Sequence, residues 1–180
     1  MNTWIALFRG INVGGNNMLP MKELTTILES IGCSNVQTYI QSGNVVLDRE
    51  GGDAAELAGL IGQKVLARNK FEPRVLLLTA KELAGAIAKN PYPAAEADPK
   101  SLHLFFLAAI PKSAKLAAIE ELRASDEECR LSGRVFYLHA PSGVGRSKLA
   151  AGAEKLLGVD ATARNWRTAT RLLQLAKDRH

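Results

Sequence analysis

The sequence predicts an α+β protein built from two tandem βαββαβ units packed as one body, with a helix at the C-terminus. Three observations carry this. Short apolar runs rich in β-branched and aromatic residues alternate with longer runs whose apolar residues recur every three or four positions. The order strand, helix, hairpin, helix, strand occurs twice, on either side of the Pro/Ala-rich stretch "NPYPAAEADP". The 180 residues are 47% hydrophobic and 23% charged, ordinary for a chain with a real core. Residues 1–80 form the first unit, 81–100 a linking helix and connection, and 101–180 the second unit with the terminal helix. Either unit alone is small for an independent core. The first strand is apolar on both faces (Trp4 and Phe8, Ile5 and Leu7), so both of its sides call for cover.

Each element has a local reason. "TWIALFR" is the first strand. Pro20 stands where a helix can begin, and Met21, Leu24, Ile27, Leu28 and Ile31 follow at helical spacing until Gly32 stops them. "VQTYI" and "NVVLD", separated by "QSG", read as a tight hairpin. "DAAELAGLIGQKVLARNK" is a helix and "EPRVLLLT" a strand. After "AKELAGAIAKN" and the proline-rich connection, "SLHLFFLAA" opens the second unit. "PKSAKLAAIEELRA" is its first helix, with a proline near the start. "EECRLSGRVFYLHA" is a hairpin turning at Ser132-Gly133, "RSKLAAGAEKLLG" a helix, "DATAR" a short strand and "NWRTATRLLQLAKD" the last helix.

Charge is unevenly distributed. Residues 1–129 carry 13 Lys/Arg against 15 Asp/Glu, and residues 130–180 carry 10 against 3. The net +5 therefore comes from the last third, which points to an anionic partner. No apolar run approaches the ~18 residues of a membrane span, so no membrane partner is expected. The start lacks the basic region of a signal peptide, so a cytoplasmic location is expected. Cys33 and Cys129 have no CxxC partner and are read as free thiols. His103, His139 and His180 show no ligand spacing, and neither a metal nor a cofactor is expected.

Three stretches ask for more than a turn. The first is "RGINVGGNNMLP", far richer in glycine and asparagine than a strand-to-helix connection needs. In a βαββαβ unit this loop leaves the sheet at the same end as the first hairpin. Arg9, Asn12, Gly14, Gly15, Asn16 and Asn17 should therefore meet Gln41, Ser42 and Asn44 in one polar concavity. Glycine-rich backbone there would turn N–H groups toward an acceptor. The second is "PSGVGRSKL", where Gly143 and Gly145 precede Arg146, Ser147 and Lys148 at a helix start suited to anions. The third is "TARNWRTATR". Arg164, Arg167 and Arg171 are spaced as one helical stripe beside Asn165 and Trp166, an arrangement able to hold phosphates and stack a base. None is a dinucleotide fingerprint or a Walker loop. The strand "NVVLD" offers no aromatic for stacking in the manner of an RNA-recognition motif.

"ALFRGINVGGNN", "TYIQSGNVVL", "GRSKL" and "TARNWRTATRL" together resemble the DUF1697 family of uncharacterised bacterial proteins. Met18 stands where that family commonly has a basic residue, and Arg167 where it has a small polar one. The resemblance implies two ferredoxin-like halves and no assigned chemistry. From the residues, the first expectation is weak binding of nucleic acid or nucleotides through the Gly-rich loops and the basic last third. An enzyme acting on a phosphorylated small molecule is an alternative, with Ser42 or Ser147 as nucleophile and Lys148 as base. A protein-interaction or structural module is another.

Overall fold

A computed structural model describes residues 1–179. It contains two four-stranded antiparallel sheets and six α-helices, grouped as two compact units. Met1–Gly85 with Arg171–His180 form the first unit, and Ala86–Thr170 the second. The chain returns from the second unit to the first after Thr170, within the C-terminal helix.

The first unit runs β1 (Asn2–Arg9), α1 (Met21–Ser30), β2 (Cys33–Tyr39), β3 (Asn44–Arg49), α2 (Ala54–Asn69) and β4 (Arg74–Thr79). Its sheet order is β2-β3-β1-β4. Trp4, Ala6 and Phe8 on one face of β1 join Val45 and Leu47 of β3 against Leu24, Leu28, Leu57 and Ile61 of the two helices. Each of these side chains larger than alanine contributes about 1.5–3 kcal/mol when taken from water. Ile5 and Leu7, on the opposite face, are also buried, as the unbroken apolar run required. Asp53 caps α2 by accepting from Glu56 N–H, and Lys70 ends it in the left-handed region at φ +63°. β2 begins at Cys33, earlier than its apolar run suggests, and its pairing with β3 slips between Ser34 and Gln37. Asn35 sits in that bulge at φ +49°.

α3 (Ala80–Ala88) and a 3-10 turn at Pro93–Ala97 lead to β5 (Leu102–Leu107), α4 (Leu116–Leu122), β6 (Glu128–Ser132), β7 (Val135–His139), α5 (Lys148–Leu157) and β8 (Ala161–Asn165). The sheet order is β6-β7-β5-β8, the same arrangement as in the first unit. Phe105 and Phe136 meet edge to face at 5.7 Å. They pack with Ile119, Leu138, Leu149, Ala153 and Leu157 beneath α4 and α5. Buried Tyr137 donates its hydroxyl to Ala86 O at 2.7 Å. α4 starts later than its proline suggests, because Lys115 N–H donates to Leu156 O rather than to a helical carbonyl. α6 (Trp166–Lys177) follows β8 directly.

Candidate functional site

The loop after β1 and the β2–β3 hairpin are joined, by way of an asparagine directed inward. Asn12 Nδ2 donates to Gln41 O at 2.9 Å and to Leu19 O at 3.0 Å, while its Oδ1 accepts from Leu19 N–H. Asn17 Nδ2 donates to Gly10 O. Asn44 is fully buried and donates to Tyr39 O and Ser42 Oγ. Val13–Asn16 closes a tight turn through Asn16 N–H to Val13 O, with Gly14 at φ +58° and Gly15 at φ +78°, the geometry for which glycine is favoured. These amides thus satisfy backbone groups that a plain turn would leave open. The rim shows a mixed face to solvent: Val13, Met18 and Ile40 are exposed beside Asn16, Asn17, Gln41 and Ser42, and Ile40 takes φ +50°, rare for a β-branched residue. Arg9 ends β1 opposite Arg74 of β4.

The stretch "PSGVGRSKL" lines a cavity of about 410 Å³ together with the end of α4. Gly143 takes φ +98° before a single 3-10 turn. Ser147 is buried and accepts from Ala150 N–H as the N-cap of α5, so its hydroxyl serves the helix. Lys148 and Leu149 carry first-turn N–H groups that an α-helix leaves without an internal partner. Arg146 and Lys148 are exposed, and neither forms an ion pair among the described residues. Gly145 is exposed between them and Gly143. Glu121, Arg123, Asp126 and Glu127 line the same cavity. Three of these four are engaged locally: Arg123 with Glu120 at 2.9 Å, Asp126 with Ser142 Oγ at 2.6 Å, and Glu127 with Ala124 N–H at 3.0 Å. Arg146 and Lys148 are its uncommitted cations.

The third stretch comes apart. Arg164 lies on β8, opposite Leu104, and not on the helix. Burial lowers its guanidinium pKa to about 10, so it remains charged at neutral pH, and it donates to Ala163 O. Asn165 caps α6 by accepting from Thr168 N–H at 2.9 Å. Trp166 is 7% exposed and is therefore core, not a stacking platform. The predicted three-arginine stripe fails because the strand extends through Asn165. Arg167 and Arg171 remain exposed a turn apart on α6.

Sequence reasoning passed over Tyr92, Glu128 and His139, which line a cleft of about 770 Å³ beside the Pro/Ala-rich connection. The available signal was the tyrosine set among prolines, which reads locally as a linker. Cys33 and Cys129 are free; burial raises both thiols, Cys129 to about 11. Among the described residues no cluster of three His, Cys, Asp or Glu could hold a metal, and no helix is long and apolar enough to cross a membrane.

A family model described as DUF1697, protein of unknown function, matches residues 1–137. Two of the stretches that carry the resemblance, "GRSKL" and "TARNWRTATRL", lie beyond that match. No curated protein matches the chain. Among solved structures, the conserved bacterial protein SP0830 from Streptococcus pneumoniae superposes with a TM-score of 0.73 at 21% identity, covering 97% of this chain and 98% of that one. At that identity the likeness concerns the fold.

Proposed function

Because the chain belongs to the DUF1697 family, whose description assigns no activity, the functional reading rests on the site itself, and we propose that the start of α5 binds phosphate-bearing ligands. Nucleotides, free or within nucleic acid, are the class favoured. The observation that carries this is the pair of exposed, unpaired cations, Arg146 and Lys148, set at a capped helix start beside a cavity of about 410 Å³. A helix start attracts negative charge through its open N–H groups and dipole. The +7 balance of residues 130–180 draws the same class of ligand from a distance. Binding of this kind is weak and driven by counterion release.

Each unit is read as ferredoxin-like, on its βαββαβ order and its antiparallel pairing with the first strand between the third and fourth. The two unpaired thiols fit a cytoplasmic protein. The enzymatic alternative is weaker, since Ser147 is engaged as a cap and Ser42 accepts from Asn44.

The test is retention of ATP and of a short single-stranded RNA at low salt, repeated for an Arg146→Gln/Lys148→Gln variant. Affinity should fall steeply with added salt, and the double variant should lose roughly tenfold or more while remaining folded. Salt-independent binding, or full affinity in the double variant, refutes the proposal.

A further inference from the structure

We propose that the cleft between the 90–101 connection and the β6–β7 hairpin is a binding site for a small organic cation, an amine or amidine carried on a flat apolar body. The cleft measures about 770 Å³, ample for a ligand of that size. Its walls are stiff: Pro91, Pro93 and Pro141 restrict the backbone, and the Tyr92 ring stands 6.3 Å from the His139 ring at 33°. Two carboxylates, Asp98 and Glu128, line it, and no lysine or arginine does, in a chain of net charge +5. Such a lining disfavours phosphates and favours a positive nitrogen.

Both carboxylates keep acceptor capacity. Glu128 Oε2 lies 3.8 Å from His139 Nδ1, beyond hydrogen-bond length, and its side chain is 55% exposed. Asp98 receives a single long bond from Lys100 N–H at 3.4 Å through one of its two oxygens. An ammonium in the cleft can meet the oxygens of either carboxylate, and the Tyr92 ring in the lining suits a cation or the ligand's apolar body. Burial of the phenol, with the charges of Cys129 and Glu128 acting in the same direction, pushes Tyr92 up to about 12, so the ring stays neutral. Arg123 and Arg130 act on that phenol without lining the cleft.

The cleft is also preformed. Asn90 accepts from Tyr92 N–H at 3.0 Å and donates to Glu96 at 2.8 Å, which fixes one wall. Buried Ser101 donates its hydroxyl to Asp98 O at 2.8 Å and anchors the other end. Little ordering cost remains to be met on binding.

The experiment titrates the isotope-labelled full chain with benzylamine and, separately, with benzyl alcohol, at about pH 8. The amides of Tyr92, Glu128 and His139 are followed. Benzylamine should shift them saturably, and benzyl alcohol should bind roughly tenfold more weakly or not at all. Glu128→Gln or Asp98→Asn should lower benzylamine affinity severalfold, the spectrum itself reporting that each variant is folded. The Arg146 amide, at the other cavity, should not move. Equal affinity for the alcohol, no saturable shift with the amine, or undiminished binding in both carboxamide variants overturns the proposal.

Discussion

Replacing Arg179 with methionine should destabilise the first unit by about 3 kcal/mol, the lower end of what breaking a buried ion pair costs. Asp48 is 4% exposed and sits within the sheet on β3. Its Oδ1 accepts from Thr3 Oγ1 at 2.6 Å and its Oδ2 from Asn35 Nδ2 at 2.9 Å. Arg179 supplies the counter-charge, with Nη1 3.3 Å from Oδ2, and donates Nη2 to Val46 O at 2.8 Å. The substitution removes that charge and leaves a buried carboxylate with two neutral donors, while the methionine keeps most of the apolar stem. Thr3 and Asn35 still solvate Asp48, which is why the lower end applies. The assay is urea unfolding at constant m, with Asp48→Asn and the double variant completing a cycle.

pH provides an internal check. Burial raises the Asp48 pKa, but the hydrogen bonds from Thr3 and Asn35 and the charge of Arg179 outweigh it, so the net shift is downward. A carboxyl lowered in the folded state stabilises above its unfolded pKa of about 3.9, and that contribution disappears as pH falls through the folded value. The penalty of Arg179→Met should therefore be full at neutral pH and shrink below about pH 4. A loss under about 0.5 kcal/mol at pH 7, or one unchanged in acid, would refute a charge-based latch.

Two further outcomes follow from local geometry. Gly43→Ala should be much more damaging than Gly14→Ala in thermal unfolding. Both positions have positive φ, but a Cβ at Gly43 would lie 2.5 Å from Phe8 Cβ, whereas none lies within 4 Å at Gly14. The first should exceed about 2 kcal/mol and the second stay near 1. Cys129, with its thiol raised first by burial and then by Glu120, should react with a disulfide reagent far more slowly than free cysteine at pH 8 and accelerate toward its pKa of about 11; ordinary reactivity at pH 8 would contradict this.

The helices and strands were legible because their signals are short-range. Leu24, Ile27 and Leu28 lie close in sequence and on one face of α1, and the run Trp4–Phe8 announces a strand covered on both sides. The approach of the opening loop to the hairpin also followed from strand order, and Asn12 meets Gln41 as that order requires. The fate of the side chains was less legible. Asn12, Asn17 and Asn44 look like ligand donors in the sequence, yet they bond to carbonyls of their own turns and neighbours. Trp166 looks like a platform beside arginines and is core, because β8 runs into α6 without a connection.

By itself, then, the sequence determined the order of elements, the apolar stripes and the basic last third, all properties of spacing and composition. The partners were decided in three dimensions. Arg179 reaches Val46 across 133 positions of chain, and Tyr92, within a connection that reads as mere linker, stands 6.3 Å ring to ring from His139. An asparagine amide bonds equally well to a carbonyl of its own loop or to a ligand's oxygen, and an arginine to a buried aspartate or to a phosphate. Chemistry alone does not choose between them; the choice lies in which group the packed backbone brings within about 3 Å.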